Sequence, residues 1–232
     1  MSQDDAVLRK LPVWMTVLSG VALGLLVLGL VLPRVGRGGG GGGDEVSGMT
    51  GGMGGAGGSQ LGEVFWSAPE FSLVDQGGEG FGSEALAGQV WVAEFFFTHC
   101  PGICPVLSLN MQDLYAEVRE QPWAESVRLV SFSLDPERDT PAVLAEYAEA
   151  IGAEPEGWVF LTGSREALWR VSESGFRLAV SENPEDPRNP IAHTGKLVLV
   201  DRAGRIRGFY DGLSPGGMAL LRADLERVVK DG

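Results

Sequence analysis

Hydrophobic positions recur with two different periods along residues 61–232, and the periods alternate. "EFSLV" (70–74) and "QVWVAEFFF" (89–97) read as strands, the second apolar on both faces as a central strand is. "PVLSLNMQDLYAEVRE" (105–120) reads as a helix, with Val106, Leu109, Leu114 and Val118 near one side. "VRLVSFSL" (127–134) is a strand. "PAVLAEYAEAIG" (141–152) is a helix opened by Pro and stopped by Gly. "WVFLTG" (158–163) is a strand, and "SREALWRVSESG" (164–175) is a helix with Ser164 as N-cap and Gly175 as its stop. "KLVLV" (196–200) and "RIRGFY" (205–210) flank "DRAG", a hairpin turn. "SPGGMALLRADLERVVK" (214–230) closes the chain as a helix with Ser214 as N-cap and Pro215 at N1.

Strands that alternate with helices predict an α/β fold: a parallel-dominated sheet covered by helices, with a hairpin adding antiparallel strands. No internal repeat is visible. Both cysteines, Cys100 and Cys104, fall where the apolar central strand meets a helix. That is the thioredoxin-like arrangement.

The N-terminal part follows different rules. After a short tail (1–10), residues 11–32 form an uncharged run of 22, flanked by Arg9, Lys10, Arg34 and Arg37. Such a run spans a hydrocarbon core of about 30 Å as a helix. It exceeds the apolar region of a secretory signal, and no small-residue cleavage site follows it, so the reading is an uncleaved transmembrane anchor. The flanks are equally basic, so the positive-inside rule does not set the orientation. Residues 33–60 read as a linker. Thirteen of the 23 residues from 38 to 60 are Gly, too few side chains to offset the entropy of ordering. Met49 and Met53 within it read as incidental rather than as a thioether copper site. Residues 61–232 then make one domain.

Charge narrows the partners. The chain carries −13, and its first 37 residues hold four basic and two acidic side chains. The remainder has 14 basic against 29 acidic groups, a net −15. A domain so acidic does not suit nucleic acid, and it is repelled by anionic headgroups.

The thiols admit three readings. A structural disulfide would close so short a loop that it would constrain little chain entropy. A redox pair in this fold ordinarily has the spacing Cys-x-x-Cys, whereas three residues separate these two. A metal site needs a third ligand. Pro105 stands where N1 belongs, which puts Cys104 close to the N-cap, where backbone N–H groups and the helix dipole favour a thiolate. Of the two histidines, His99 points away from its neighbour Cys100 along an extended chain and reads as a packing or hydrogen-bonding residue. His193 precedes the hairpin in a loop that this sheet places beside the thiol-bearing helix. Two thiolates and an imidazole form a soft set suited to Cu(I), with zinc second.

At these residues the sequence resembles the Sco/SenC family of copper-binding, thioredoxin-like proteins of cytochrome c oxidase assembly. The resemblance is carried by "FFFTHCPGICP" (95–105), "SFSLDPERDTP" (131–141), "LTGSREAL" (161–168) and "HTGKLVLVDRAGRI" (193–206). It implies copper, as Cu(I) or Cu(II), on Cys100, Cys104 and His193. It implies a single-pass protein of a bacterial-type inner membrane with its domain in the periplasm, or on the equivalent intermembrane-space side. The implied partners are the oxidase subunit carrying the binuclear Cu(A) centre and a copper chaperone as donor. Two positions depart from the family pattern: Gly102 stands where an acidic residue is usual, and Ala192 where an Asp often precedes the metal histidine. Both remove negative charge near the site and one orienter of the imidazole. Asp135 is read as lying near the site or capping a loop. The alternative functions are thiol–disulfide reduction of partner cysteines, with Cys100 as nucleophile and Cys104 resolving, and copper or redox sensing. His193 is dispensable for the reductase.

Overall fold

The computed structural model describes residue 61 and residues 64–231. The expected tail, anchor and linker (1–60) all lie outside the described residues. Among those described, no helix is long and apolar enough to cross a membrane.

The chain forms a seven-stranded sheet in the order Gly80–Gly82, Ser72–Asp75, Trp158–Thr162, Val127–Ser133, Val90–Phe96, Lys196–Val200 and Ile206–Asp211. β1 is Ser72–Asp75 and β2 Gly80–Gly82, an edge hairpin. β3 (Val90–Phe96), β4 (Val127–Ser133) and β5 (Trp158–Thr162) are parallel and form the centre. β8 (Lys196–Val200) and β9 (Ile206–Asp211) complete the sheet as an antiparallel hairpin beside β3. Its turn is set by Asp201, whose Oδ1 accepts from the N–H groups of Ala203 and Arg205, and by Gly204 at φ +72°. All seven residues of β3 are buried, as a central strand flanked on both faces requires.

Four helices follow the expected order. α1 (Cys104–Arg119) connects β3 to β4, and α2 (Pro141–Ala150) connects β4 to β5. Successive parallel crossovers in one direction lie on the same face, and Gln112 of α1 donates to Ile151 O just beyond α2 at 2.8 Å. α4 (Pro215–Asp231) joins them there, with Arg222 on Glu117 of α1 at 2.6 Å. The opposite face holds an aromatic cluster in which Phe95 stacks on Phe132 and both meet Phe176.

The structure revises two local expectations. Val106 and Leu109 are exposed, at 48% and 61%, and the buried stripe of α1 is Cys104, Leu107, Ser108, Met111, Leu114, Tyr115 and Val118. The helix starts one residue earlier than Pro105 suggests, and Cys104 takes a core-facing position; Leu107, Met111 and Leu114 follow at helical spacing. The expected helix 164–175 is α-helical only over α3 (Arg165–Arg170) and continues as a π-turn, Val171–Gly175. Gly175 fits there because a Cβ would stand 2.4 Å from Pro69, and its carbonyl accepts from Trp66 Nε1 at 2.9 Å.

Candidate metal centre

The site sits at the carboxyl end of β3, where open α/β sheets place their ligands. After Phe96 the chain leaves the sheet, turns through a Cys100 N–H bond to Phe97 O at 3.2 Å, and enters α1 at Cys104. Both cysteines are buried and free. His193 arrives on a separate small ladder, β6 (Val180–Glu182) with β7 (Ile191–His193), in which Val180 pairs with His193. Gly195 O and Gly212 N, 2.9 Å apart, and Asn110 Nδ2 on Gly212 O at 2.7 Å fasten this region to α1.

The result is a convergence of three donors. Cys100 Sγ, Cys104 Sγ and one His193 nitrogen lie within 4.8 Å of one another. Nε2 of His193 is 3.3 Å from Cys104 Sγ. Nδ1 lies 3.1 Å from the Thr194 carbonyl, which can only accept, so the proton belongs on Nδ1 and the Nε2 lone pair faces the thiols. Phe97 packs edge-on to the ring at 5.7 Å. The Thr194 backbone carbonyl therefore orients the imidazole.

The thiols differ. Cys100 is held well below the ordinary thiol range, chiefly by the hydrogen bond from the Cys104 thiol, helped by the N–H groups of Cys104 and Gly102, against its burial. Cys104 is pushed up by the same bond, by burial, and by the charge of Glu94. This reverses the expectation that the helix start would favour a thiolate at Cys104. Donating to Cys100 in a buried place outweighs the dipole. The pair thus gives up one proton easily and the second with difficulty.

His99 is exposed, with Nδ1 2.9 Å from Thr98 Oγ1, and is no part of the cluster. Asp135 acts in its own loop: its carbonyl accepts from Arg138 and Asp139 N–H, and its carboxylate lies 3.6 Å from Arg138. Gly102 is not sterically required, since a Cβ there would meet Cys100 Sγ only at 3.9 Å.

Two acidic residues were not singled out in the sequence. Glu94, inside the strand read as wholly apolar, is 1% exposed. Its Oε1 accepts from Ser131 Oγ, which receives Trp158 Nε1 at 2.7 Å, while Oε2 has no partner. Burial pushes its pKa up to about 7 against the Ser131 bond. Asp139 is wholly buried and bonds to Thr98, two residues before Cys100. Its place in "DPERDTP" was the available signal.

A thioredoxin-like α/β domain with a buried dithiol and a facing imidazole at the end of its central strand defines a class of thiol-based metal-binding and redox proteins. Within that class the chain belongs to the SCO1/SenC family, whose model matches residues 63–230. A SCO1 protein homolog of Bacillus subtilis is 33% identical over 144 residues, 62% of this chain and 72% of the relative. The copper-bound structure of ScoI from Bradyrhizobium japonicum matches with TM-score 0.58 and 28% identity, covering 70% of this chain and 99% of that one. BsSco, a member of the Sco family of cytochrome c oxidase assembly proteins in which a disulfide switch was identified, matches with TM-score 0.62 and 29% identity, over 71% and 94% of the two chains.

Proposed function

We propose that this protein carries copper on Cys100, Cys104 and His193 and delivers it to the Cu(A) centre of cytochrome c oxidase. The observation that carries the reading is the convergence of two sulfurs and an imidazole nitrogen within 4.8 Å. The donors are soft and too few to close a tetrahedral zinc site, which favours Cu(I). As copper enters, the thiols lose their protons while His193, protonated on Nδ1, offers Nε2 without losing one. Release proceeds by ligand exchange, a partner's thiols replacing these donors one at a time, so the ion is never free. The relatives support the cargo and the destination: ScoI of Bradyrhizobium japonicum binds copper, and BsSco belongs to a family of oxidase assembly proteins.

The apolar run 11–32 and the Gly-rich linker complete the proposal. The run anchors the protein once in a bacterial-type inner membrane, with the domain in the periplasm or its intermembrane-space equivalent. The linker lets the site reach both a copper donor and the oxidase subunit that holds Cu(A).

The test is an anaerobic Cu(I) titration of the reduced full-length protein in detergent against a chromogenic competitor, with His193→Ala beside it. One tightly bound copper, weakened at least tenfold (about 1.4 kcal/mol) in the variant, is the expected result. Equal weak binding by both would remove the copper reading.

The unequal thiols favour a second reading, thiol–disulfide exchange. The Cys100 thiolate attacks a partner disulfide and forms a mixed disulfide. Cys104, giving up its proton, then displaces the partner's second sulfur. The partner leaves as a dithiol, and the Cys100/Cys104 dithiol that supplied the two electrons is left oxidised as a disulfide. His193→Ala leaves this reaction standing.

A further inference from the structure

Copper or thiol chemistry needs Cys100 held against Cys104 and His193, yet Cys100 belongs to the irregular stretch between β3 and α1. Its own backbone contributes one short turn, Cys100 N to Phe97 O. Beside the packing of Phe97 and Cys100 into the core, its backbone is hydrogen-bonded to one carboxylate outside the stretch. Asp139 Oδ2 accepts from the Thr98 N–H at 3.1 Å and from Ser133 Oγ at 2.6 Å, and Oδ1 accepts from Thr98 Oγ1. Thr98 is therefore gripped by backbone and side chain together. Three donors converge on one carboxylate that is 0% exposed, and no Lys or Arg pairs with it among the described residues. Charge-assisted bonds of this kind are about twice as strong as neutral ones.

Asp139 is itself fixed. Its N–H donates to Asp135 O at 2.9 Å, and the next residue, Thr140, caps α2 with its hydroxyl on Val143 N–H. Ser133, the last residue of β4, holds Asp135 N–H at 3.1 Å as well as the Asp139 carboxylate. The grip on Thr98 is thus rooted in β4 and the start of α2, and not in the irregular stretch it restrains.

We propose that Asp139 is the positioning residue of the dithiol–imidazole site, acting through Thr98 to hold Cys100 in register with Cys104 and His193. It does not touch the ion or the reacting sulfurs. A site held to within about half an ångström depends on such supporting contacts. The inference rests on the proposed function only for its copper readout. Its thiol readout stands without copper.

The experiment compares wild type with Asp139→Asn, Thr98→Val and Thr98→Ser, all full-length and reduced. Asn matches Asp in shape but removes the charge and, in either amide orientation, sets an N–H₂ against the Thr98 hydroxyl or against the Thr98 N–H and Ser133 Oγ. Val removes the Thr98 hydroxyl with little change of shape, and Ser keeps it. Three quantities are read: the melting temperature, Cu(I) affinity by competition, and the ratio of Cys100 to Cys104 alkylation by iodoacetamide in the metal-free protein. Asp139→Asn and Thr98→Val are expected to weaken Cu(I) binding at least tenfold and to bring the alkylation ratio at least threefold closer to unity. Thr98→Ser is expected to retain the wild-type values of both. Variants that melt lower yet keep wild-type copper affinity and alkylation ratio would reduce Asp139 to a folding residue and overturn the proposal. If Asp139→Asn does not fold, Thr98→Val decides the question. If wild type itself binds no copper, the proposed function fails, and the alkylation ratio alone decides the role of Asp139.

Discussion

Cys104 Sγ and His193 Nε2 lie 3.3 Å apart although 89 residues separate them in the chain. The contact depends on a histidine whose Nδ1 is committed to the Thr194 carbonyl. Ala192 points to the other side of the β7 strand, as neighbours in a strand do, so a carboxylate there would not reach the ring. Ala192→Asp is accordingly expected to change Cu(I) affinity by less than threefold, measured by competition with a chromogenic chelator. A gain of tenfold or more would mean that the carbonyl does not orient the ring well enough.

Gly102 is the contrasting departure. A Cβ there would stand 3.9 Å from Cys100 Sγ, an ordinary contact, with Asn189 Nδ2 at 3.8 Å. Gly102→Asp is expected to fold with an unchanged melting temperature. Its negative charge disfavours the Cys100 thiolate, so the pH midpoint for alkylation of Cys100 should move upward. A midpoint equal to that of wild type would place the new carboxylate out of electrostatic reach.

The two thiols should titrate in order. Cys100 is held low by the Cys104 thiol, and Cys104 is pushed up by the same bond and by burial. In the reduced, metal-free protein, iodoacetamide is expected to modify Cys100 first. The rate should be nearly flat between pH 6 and 8, where an ordinary thiol near 8.5 gains about tenfold per unit. Cys100→Ser removes the largest cause of the Cys104 shift, so Cys104 in that variant should react at lower pH than in wild type. Preferential labelling of Cys104 in the intact pair would reverse the assignment.

Much of this arrangement is legible in the sequence, because strong periods and end signals agree. β3, β4, β5, the β8–β9 hairpin and the four helices lie where apolar runs, Pro starts and Asp/Gly turns place them. The convergence of the thiol pair and His193 is legible because the cysteines stand between β3 and α1 and His193 lies shortly before β8, all three being well-marked elements. The misreadings share a cause, which is tertiary context overriding local pattern. Val106 and Leu109 are apolar yet face outward, because Leu107, Met111 and Leu114 occupy the inward stripe. The β6–β7 ladder is three residues per strand, too short to show a period. Glu94 is one acid in an apolar run, and only the partnered strand shows that Ser131 lies opposite to receive it. Asp139 looks like a loop residue until the fold brings Thr98 to it across 41 positions.

A buried pair that includes none of the three candidate ligands bears on stability. Tyr210 Oη donates to Asp224 Oδ2 at 3.0 Å between β9 and α4, and the two residues are 1% and 0% exposed. Tyr210→Phe withdraws the donor and leaves a buried carboxylate with a poorer environment, a loss of roughly 2 kcal/mol. For a domain of this size that corresponds to a melting temperature lower by about 4–8 °C. Calorimetry checks it, with copper affinity unchanged because no ligand is touched. A shift below 1 °C would show that the carboxylate finds an equal partner without the tyrosine.

Glu94 gives stability a pH dependence of unusual sign for a carboxylate. Its folded pKa is raised by burial from 4.5 to about 7, so the folded protein binds the proton more tightly than the unfolded chain does. The stability associated with that proton is fully present below about 4.5. It is lost as pH rises through 7, where the carboxylate must ionise with Oε2 unpartnered. At about 1.4 kcal/mol per unit, the whole loss is about 3 kcal/mol. Glu94→Gln has no proton to lose, and it keeps an acceptor for Ser131 Oγ. Urea unfolding of both metal-free reduced proteins at pH 5 and pH 8 isolates the effect, because every other titrating group is common to the two. The variant is expected to gain on wild type by 2–3 kcal/mol (about two pH units' worth) between the two conditions. Its removal of a negative charge also relieves Cys104, whose alkylation should begin at lower pH. A difference between the proteins that does not change with pH would show that Glu94 is ionised throughout and finds compensation inside the fold.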